Sequence, residues 1–343
     1  MRVLAALSGG VDSSVAAALL IEQGHDVVGA TMKLWRGAAV EVGCCSEAEI
    51  DDARAVTRRL GIDHHVFTFT DDFDRHVVDP YVAGHAAGRT PNPCIACNDR
   101  IKFDRFLVRA TQLGFDAVAT GHHARIARDG GRVRLCRGAD AAKDQSYVLH
   151  GLGAETLARC LFPVGELTKD EVRARAAALD LPVATKPDSQ DACFVLTEGG
   201  RASFLGTRIP LRPGRLVDAV TGADAGSVAA LELVTVGQRR GMGGAGQRRY
   251  ALGVDVAAGT VTVGPREATM VDAVAVTGMR WVDGVPIDPD RPVLAQCSAH
   301  GDPVPARLDG DVVRFLEPRP RVAPGQAVVL YDGDEVLGGG EAA

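Results

Sequence analysis

The stretch Val3-Leu-Ala-Ala-Leu-Ser-Gly-Gly-Val-Asp-Ser-Ser14 decides the fold of the first half of this chain. Its first five residues are apolar, which is typical of one short buried strand. A Gly-Gly turn follows, and an Ala- and Leu-rich helix is predicted over residues 13–23, with Gly24 in the position of a helix C-cap. The stretch therefore predicts a strand, a tight glycine turn and a helix in immediate succession.

The alternation of strands and helices continues beyond this stretch. Strands are predicted over residues 26–32, 64–69 and 117–120, and helices over residues 47–60, 101–113 and 168–179, the last opened by a capping box of Thr168 and Glu171. Such alternation is typical of an α/β fold with a doubly wound parallel sheet. Ligands bind at the carboxyl ends of the strands in such sheets, so the turn after the first strand is the first candidate site.

The pattern changes near residue 200, where Pro and Gly separate short β-branched runs. These runs cover residues 231–236, 259–264, 272–277, 293–296, 311–315 and 327–330. We predict a catalytic domain over residues 1–200, a small β-rich central domain over 201–265 and a C-terminal β-barrel over 266–343. Within the first domain, an Asp-Gly-Gly turn at 129–131 predicts a β-hairpin.

Composition is that of a globular protein, with 343 residues, 46% apolar and 24% charged. No apolar run is long enough to span a membrane, and the N-terminus lacks the features of a signal peptide, so we expect a cytoplasmic protein with no membrane partner. The eight Cys are expected to be reduced thiols.

The net charge of −6 excludes a uniformly basic nucleic-acid binder, but residues 201–250 carry eight Arg against three acidic residues. That asymmetry indicates either a face toward a polyanion or chance fluctuation.

The turn Ser8–Ser14 has the features of a phosphate-binding loop. Two glycines let the backbone approach an anion, and N–H groups at a helix N-terminus supply positive potential. Ser13 and Ser14 can donate hydroxyl hydrogen bonds, and Asp12 can orient Mg²⁺ or cap the turn. The Gly-Lys-Ser/Thr ending of a Walker A motif is missing. The string resembles the PP-loop of ATP pyrophosphatases, which implies that a carbonyl oxygen is adenylated and that a nucleophile then displaces AMP.

Two later segments carry cysteines with candidate chemistry. One holds Cys94 and Cys97 among prolines that we expect to prevent helix before about Asn98, which would place Cys97 at a helix N-terminus and favour its thiolate. The other holds Cys193. A half zinc site at the first pair, or inert thiols, are the alternatives, and no second pair of metal ligands at a familiar spacing is visible.

The loop, Cys97 and Cys193 together resemble the bacterial-type tRNA-specific 2-thiouridylase family over nearly the whole chain. Supporting strings lie at residues 31–33, 88–93, 119–122, 143–147, 161–165, 237–241 and 324–326. The resemblance implies an enzyme, a tRNA-uridine 2-sulfurtransferase, that thiolates the wobble uridine in the anticodon loop of tRNA for Lys, Glu and Gln. It also implies ATP, Mg²⁺, and a sulfur-relay protein or cysteine desulfurase as the sulfur source.

The resemblance assigns roles to individual residues. Cys193 matches the cysteine that carries a persulfide, and Cys97 matches its partner nucleophile. The positions that match ATP contacts are Ala6, Leu7, Ser8, Gly9, Gly10, Val11, Asp12, Ser13, Met32 and Gly121. The positions that match tRNA contacts are Asn92, Pro93, Cys94, His122, Lys143, Asp144, Gln145 and Gln326. The implied reaction adenylates the C2 oxygen of uridine, replaces it with sulfur and leaves a Cys97–Cys193 disulfide.

Departures from the family pattern leave alternatives open. Many members carry Asp where this chain has Cys94, and many carry Arg-Tyr at residues 298–299. Cys94, Cys97 and Cys193 would instead suit an iron–sulfur cluster, as in a tRNA thiolase acting at a different position. An ammonia-using PP-loop ligase and a nucleotide-binding redox sensor are further alternatives. His122 has a structural alternative, and the triplet beginning at Lys143 has that of a solvated turn.

Overall fold

The structure, a computed structural model, describes residues 1–35, 47–188, 193–195, 200–243, 248–289 and 291–343. The strands that precede the central domain are β1 (Arg2–Ala6), β2 (Asp26–Lys33), β3 (His64–Thr68), β4 (Ala117–Ala119), β5 (Ala124–Asp129), β6 (Arg132–Arg137) and β7 (Cys160–Leu161). Five of them form a parallel sheet in the order β3-β2-β1-β4-β7. The predicted parallel α/β sheet is confirmed.

Helices pack on both faces of this sheet. The helices of this part of the chain are α1 (Val11–Glu22), α2 (Glu47–Leu60), α3 (Thr70–Phe73), α4 (Asp79–Ala86), α5 (Pro93–Cys97), α6 (Phe106–Gln112), α7 (Ala154–Ala158), α8 (Lys169–Ala178) and α9 (Gly200–Gly206), with 3-10 or π-helical stretches at Asp74–Val78, Asn98–Arg105 and Ser146–Leu149. From β1, Val3 and Ala5 pack with α1 and α2. Leu4 and Ala6 pack with Phe106 of α6. Alternate strand residues point to opposite faces, and helices cover both faces, so residues 3–6 of β1 are all apolar and buried while Arg2 at its start is exposed.

The helical segment that carries Cys97 begins earlier than the sequence predicts. Helix α5 starts at Pro93, and its N-cap Asn92 accepts a hydrogen bond from the backbone N–H of Cys94. The helical backbone then continues to the end of α6. The expectation that helix starts at about Asn98 is therefore wrong, because proline is favoured at a first helical position, where no N–H is needed. Cys94 lies in the first turn and Cys97 lies beyond it.

The central domain is a small four-stranded sheet. Its strands are β8 (Gly214–Asp218), β9 (Asp224–Val228), β10 (Tyr250–Asp255) and β11 (Thr260–Gly264), in the order β10-β11-β8-β9. The β-branched run at residues 231–236 is not a strand, since Leu231–Leu233 forms a 3-10 helix. Leu231 and Val234 both enter the core of this sheet, and a spacing of three residues places two side chains on one side of a 3-10 turn.

The C-terminal domain is a closed barrel, as predicted. Its strands are β12 (Met270–Trp281), β13 (Val293–Gln296), β14 (Val304–Asp309), β15 (Val312–Pro320), β16 (Ala327–Asp332) and β17 (Glu335–Ala342). They follow the order β12-β15-β14-β13-β16-β17, and the pairing of β12 with β17 closes the barrel. Alternate apolar residues from these strands fill its interior.

The predicted hairpin at residues 129–131 is present, and it joins the first domain to the barrel. Strands β5 and β6 pair with each other, and Cys136 of β6 pairs with Glu335 of β17. The domain limits at residues 200 and 265 stay a prediction. Within the described ranges, no helix combines the length and the apolar character that crossing a membrane requires.

Candidate functional site

Two glycines, one in the loop after β1 and one after β4, lie where the backbone leaves no room for a side chain. Gly9 has φ +73°, and a Cβ there would lie 2.5 Å from the carbonyl oxygen of Glu49. Gly121, just after β4, lies so close to α1 that a Cβ would be 2.5 Å from the backbone nitrogen of Ser13. The predicted ATP-binding residues Gly9 and Gly121 therefore both lie near the start of α1. They follow the carboxyl ends of the neighbouring strands β1 and β4.

Hydroxyl groups fix the conformation of this loop. Ser13 Oγ donates to the carbonyl oxygen of Gly10 at 3.1 Å and accepts from the backbone N–H of Ser8 at 3.2 Å. Ser14 Oγ donates to the same carbonyl at 2.8 Å. Gly10 is the N-cap residue of α1 and makes no side-chain cap, so the first N–H groups of the helix are available to an anion. Ala6, Leu7 and Val11 are buried beneath the loop.

A chain of ion pairs starts from Asp12 of this loop. Lys169 Nζ donates to both carboxylate oxygens of Asp12, at 2.7 and 2.8 Å, and lies 2.8 Å from Asp188 Oδ1. Asp188 in turn accepts from Lys143 at 2.8 Å and from Arg173 at 3.0 Å. This series of ion pairs therefore connects the predicted ATP loop with Lys143, a predicted tRNA contact.

The ion pairs shift the acidity of both carboxyl groups. Burial raises the pKa of Asp12, but hydrogen bonds from His123 and Lys169 outweigh it, so the net pKa is lowered. The pKa of Asp188 is lowered to about 2, because the bonds from Lys143 and Lys169 outweigh the effect of burial. Both groups are carboxylates at neutral pH, and each is matched by a cation.

Sequence reasoning missed Lys169, His123 and Asp188. His123 Nε2 lies 3.1 Å from Asp12 Oδ1. Lys169 is only 8% exposed and is the first residue of α8, directly after the capping residue Thr168. The capping box was visible in the sequence and fixes where Lys169 starts its helix. Its pairing with a residue 157 positions earlier was not visible.

The two predicted reactive cysteines occupy one apolar cluster. Cys97 is buried in it, and the half-buried Cys193 packs against it. Met32, at the end of β2 and predicted to touch ATP, packs against the same cluster. Cys94 is exposed on the first turn of α5, so the positive potential of that helix terminus acts on Cys94 rather than on Cys97.

No group of three or more His, Cys, Asp and Glu side chains in the described parts of the chain is arranged to hold a metal ion. Cys94, Cys97 and Cys193 are thus not brought together as three ligands. Cys160 is a buried thiol whose pKa burial raises to about 12, as befits a packing residue. Cys44 and Cys45 lie outside the described residues.

The segment predicted to contact the target base, residues 90–94, is held by the barrel. The backbone N–H of Thr90 donates to the carbonyl of Pro324 at 2.7 Å, and Gln326 Nε2 donates to the carbonyl of Thr90. Gly325, with φ +88°, lies against Pro91, since a Cβ on it would be 3.1 Å from the Pro91 nitrogen. The predicted contacts Asn92, Pro93 and Gln326 are therefore neighbours, although Gln326 follows the other two by more than two hundred residues.

Three other predicted tRNA contacts make internal bonds. Asp144 is almost buried and accepts from the Arg137 guanidinium at 2.9 Å and from the backbone N–H of Gly138 at 2.9 Å. Gln145 Oε1 accepts from the backbone N–H of His123 at 3.0 Å. His122 is buried, with its Nδ1 2.7 Å from Thr120 Oγ1, and burial lowers its pKa well below the usual value, which keeps the imidazole neutral. Their contacts with tRNA stay a prediction.

The Arg-rich part of the central domain remains open to a polyanion. Arg239, Arg240 and Arg248 are exposed, whereas Arg249 pairs with Asp218. Residues 244–247 between them lie outside the described residues.

Known proteins resemble this chain over its whole length. A family model described as the tRNA methyl transferase HUP domain matches residues 1–197, and one described as the aminomethyltransferase beta-barrel domain matches residues 271–341. The tRNA-specific 2-thiouridylase MnmA of Chloroflexus aggregans is 48% identical over 351 residues, which cover 99% of this chain and 97% of that protein. The protein of the same name from Thermobifida fusca is 47% identical and covers 98% and 94%. A solved 4-thiouridine synthetase–RNA complex with bound ATP aligns at 17% identity and TM-score 0.36, over 56% of this chain and 44% of its own.

Proposed function

This chain belongs to the tRNA-specific 2-thiouridylase family, and we propose that it is a tRNA-uridine 2-sulfurtransferase that uses ATP to replace the C2 oxygen of a wobble uridine with sulfur. The observation that carries the proposal is the placement of Cys97 and Cys193 in one apolar cluster with Met32, at the end of the strand that pairs with β1. We infer that tRNA for Lys, Glu and Gln is the substrate, and that a sulfur-relay protein or a cysteine desulfurase loads Cys193.

In the first step, the loop holds the phosphates of ATP. The glycine backbone and the first N–H groups of α1 bind the anion, while Ser13 and Ser14 keep the loop in shape. The uridine C2 oxygen attacks the α phosphate, the bond to the β phosphate breaks, and pyrophosphate leaves. A base in a single-stranded loop reaches such a site at the lowest cost in stacking.

Magnesium fits the donor chemistry of this loop. The ion prefers carboxylate and phosphate oxygens, and Asp12, the one carboxylate in the loop, keeps 30% of its side chain exposed. Both of its oxygens accept from Lys169, so a bound ion would share Asp12 with that cation. Asp12 is thus the residue that would hold Mg²⁺, which when bound would neutralise charge on the leaving pyrophosphate. Cys94, Cys97 and Cys193 fit an iron–sulfur cluster less well, because the described residues hold no such three-ligand group.

In the second step, the outer sulfur of a Cys193 persulfide attacks C2, and AMP leaves with the original oxygen. The Cys97 thiolate then attacks Cys193 Sγ and breaks the S–S bond, whose electron pair passes to the sulfur on C2. A Cys97–Cys193 disulfide remains and is reduced by an external thiol before the next turnover. Their common apolar surroundings favour this exchange over hydrolysis of the activated base.

The proposal is tested by thiolation in vitro. The anaerobically purified protein is given ATP, Mg²⁺, a sulfur donor and unmodified tRNA for Glu, and the digested RNA is analysed for 2-thiouridine by mass spectrometry. Cys97→Ser should abolish the product, whereas the matched control Cys160→Ser should retain it, because Cys160 is packed in a different cluster.

Each alternative function gives a different result. Pyrophosphate release with ammonia and a small acceptor, without tRNA, would indicate a PP-loop ligase. ATP binding without pyrophosphate release under any acceptor would indicate a redox sensor. A thiolated nucleoside away from the wobble position would indicate a tRNA thiolase with a different target.

A further inference from the structure

The residue after Cys193 is the centre of an aromatic box, which we define as Trp35, Phe73, Tyr81, Phe194 and Phe204. The ring of Phe194 is only 3% exposed. It meets the edges of Phe73 and Tyr81 at centroid distances of 5.6 and 5.4 Å. It also lies 5.1 Å from Phe204 and 6.4 Å from Trp35. Such distances and angles are those of favourable aromatic pairs, so the position of Phe194 is strongly defined.

The aromatic box is assembled from separate parts of the chain. Phe73 and Tyr81 lie on α3 and α4, Phe204 lies on α9, and Trp35 follows β2. Tyr81 is itself supported by His85, at a centroid distance of 4.6 Å, and His85 Nδ1 lies 3.0 Å from the carbonyl oxygen of Glu232 in the central domain. Apart from Phe194 itself, the rings of the box therefore come from elements outside the segment that carries Cys193.

Because the aromatic box fixes the position of Phe194, it also restricts the position of the neighbouring Cys193. Consecutive Cα atoms are about 3.8 Å apart, so a fixed Phe194 leaves the Cys193 backbone within one peptide unit of a defined point. The Cys193 side chain then has only a few rotamers in which to place its Sγ. Cys97 lies in the same cluster as the aromatic box, one helical turn before the fully buried Ile101. The positions of both cysteines are thus set by packing within the same cluster.

We propose that Phe194 is a positioning residue that sets the effective concentration of the Cys193 thiol at Cys97. For its part in tRNA thiolation the proposal rests on the proposed function, but the positioning itself is measurable without tRNA or ATP. Holding two reacting groups in one frame raises their effective concentration, and small misplacements lower it steeply. Loss of the Phe194 ring should therefore make the Cys97–Cys193 disulfide at least about tenfold harder to form.

The experiment equilibrates the full chain with reduced and oxidised glutathione. Two protein thiols and one glutathione disulfide give the Cys97–Cys193 disulfide and two glutathione molecules, so the reaction is balanced in atoms and electrons. Samples are acid-quenched, alkylated and analysed by peptide mass spectrometry. Phe194→Ala should lower the equilibrium constant at least about tenfold, and Phe194→Leu, which keeps most of the buried volume, should recover most of that loss.

Phe115→Ala is the matched control. Phe115 is 5% exposed and packs in a different cluster, against the guanidinium of Arg2 at 4.4 Å, so its loss costs stability without touching the aromatic box. The control should leave the equilibrium constant at the wild-type value. A wild-type constant for Phe194→Ala, or an equal fall for Phe115→Ala, would overturn the proposal. Absence of 2-thiouridine with the wild-type enzyme would instead count against the proposed function and leave the disulfide result standing.

Discussion

Replacing Lys169 with Met should lower the free energy of unfolding by about 2–3 kcal/mol at pH 7. Lys169 Nζ donates to Asp12 at 2.7 and 2.8 Å and lies 2.8 Å from Asp188, with only 10% of its side chain exposed. Removing the cation from a fully buried pair costs about 3–5 kcal/mol. We expect less here, because Asp12 and Asp188 keep 30% and 21% of their side chains exposed and Asp188 keeps two other cations.

The loss should depend on pH with a defined sign. The pKa of Asp12 and that of Asp188 are both lowered on folding, the latter to about 2. Such groups contribute stability above their unfolded pKa of about 4, and that contribution disappears as the pH falls through the folded pKa. The stability difference between wild type and Lys169→Met should therefore be complete at neutral pH and shrink between about pH 4 and pH 2.

Urea unfolding followed by circular dichroism measures both effects. Arg59→Met is the matched control, since Arg59 pairs with Asp180 at 3.1 Å while both side chains are more than half exposed. An exposed pair contributes about 0–1 kcal/mol, so the control should unfold almost as the wild type does. Equal stability of Lys169→Met and wild type at pH 7, or a difference that grows toward low pH, would refute the reasoning.

Three further changes test other parts of the account. Gly9→Ala should weaken ATP binding at least tenfold in calorimetry, because a Cβ would lie 2.5 Å from a backbone oxygen at φ +73°; unchanged binding would contradict the role of the loop backbone. Cys94→Asp should retain thiolation, because Cys94 is exposed in the first turn of α5 and an acidic residue is favourable there; a complete loss would point to a thiol-specific role. Thr168→Ala should cost about 1 kcal/mol in urea unfolding, because it removes a complete capping box; no loss would contradict that geometry.

The sequence predicted what depends on local patterns. The apolar run before Ser8 and the glycine turn located β1 and the loop, because a strand buried on both faces and a turn at positive φ leave clear signatures. The start of α5 was predicted wrongly because proline both breaks helices and begins them, and only the position of Asn92 as an N-cap decides between the two.

Contacts across the fold could not be predicted in the same way. Lys169 and Asp188 are ordinary charged residues in the sequence. They join the ion pairs at Asp12 only because α8 packs beside α1 in the folded chain. Likewise, nothing local indicates that Phe194 would meet four rings, three of them more than a hundred residues away in the sequence. Family resemblance supplied the candidate residues, while the ion-pair chain and the aromatic box came from the packing of the folded chain.

In the proposed reaction, one site first adenylates uridine and then delivers sulfur from Cys193. A single-turnover reaction with ATP, unmodified tRNA and persulfide-loaded enzyme tests it, with pyrophosphate and 2-thiouridine measured in the same sample. Wild type should give both products in equal amounts, and Cys193→Ser should release pyrophosphate without forming 2-thiouridine. Normal 2-thiouridine from Cys193→Ser, or pyrophosphate released at the same rate without tRNA, would contradict the account.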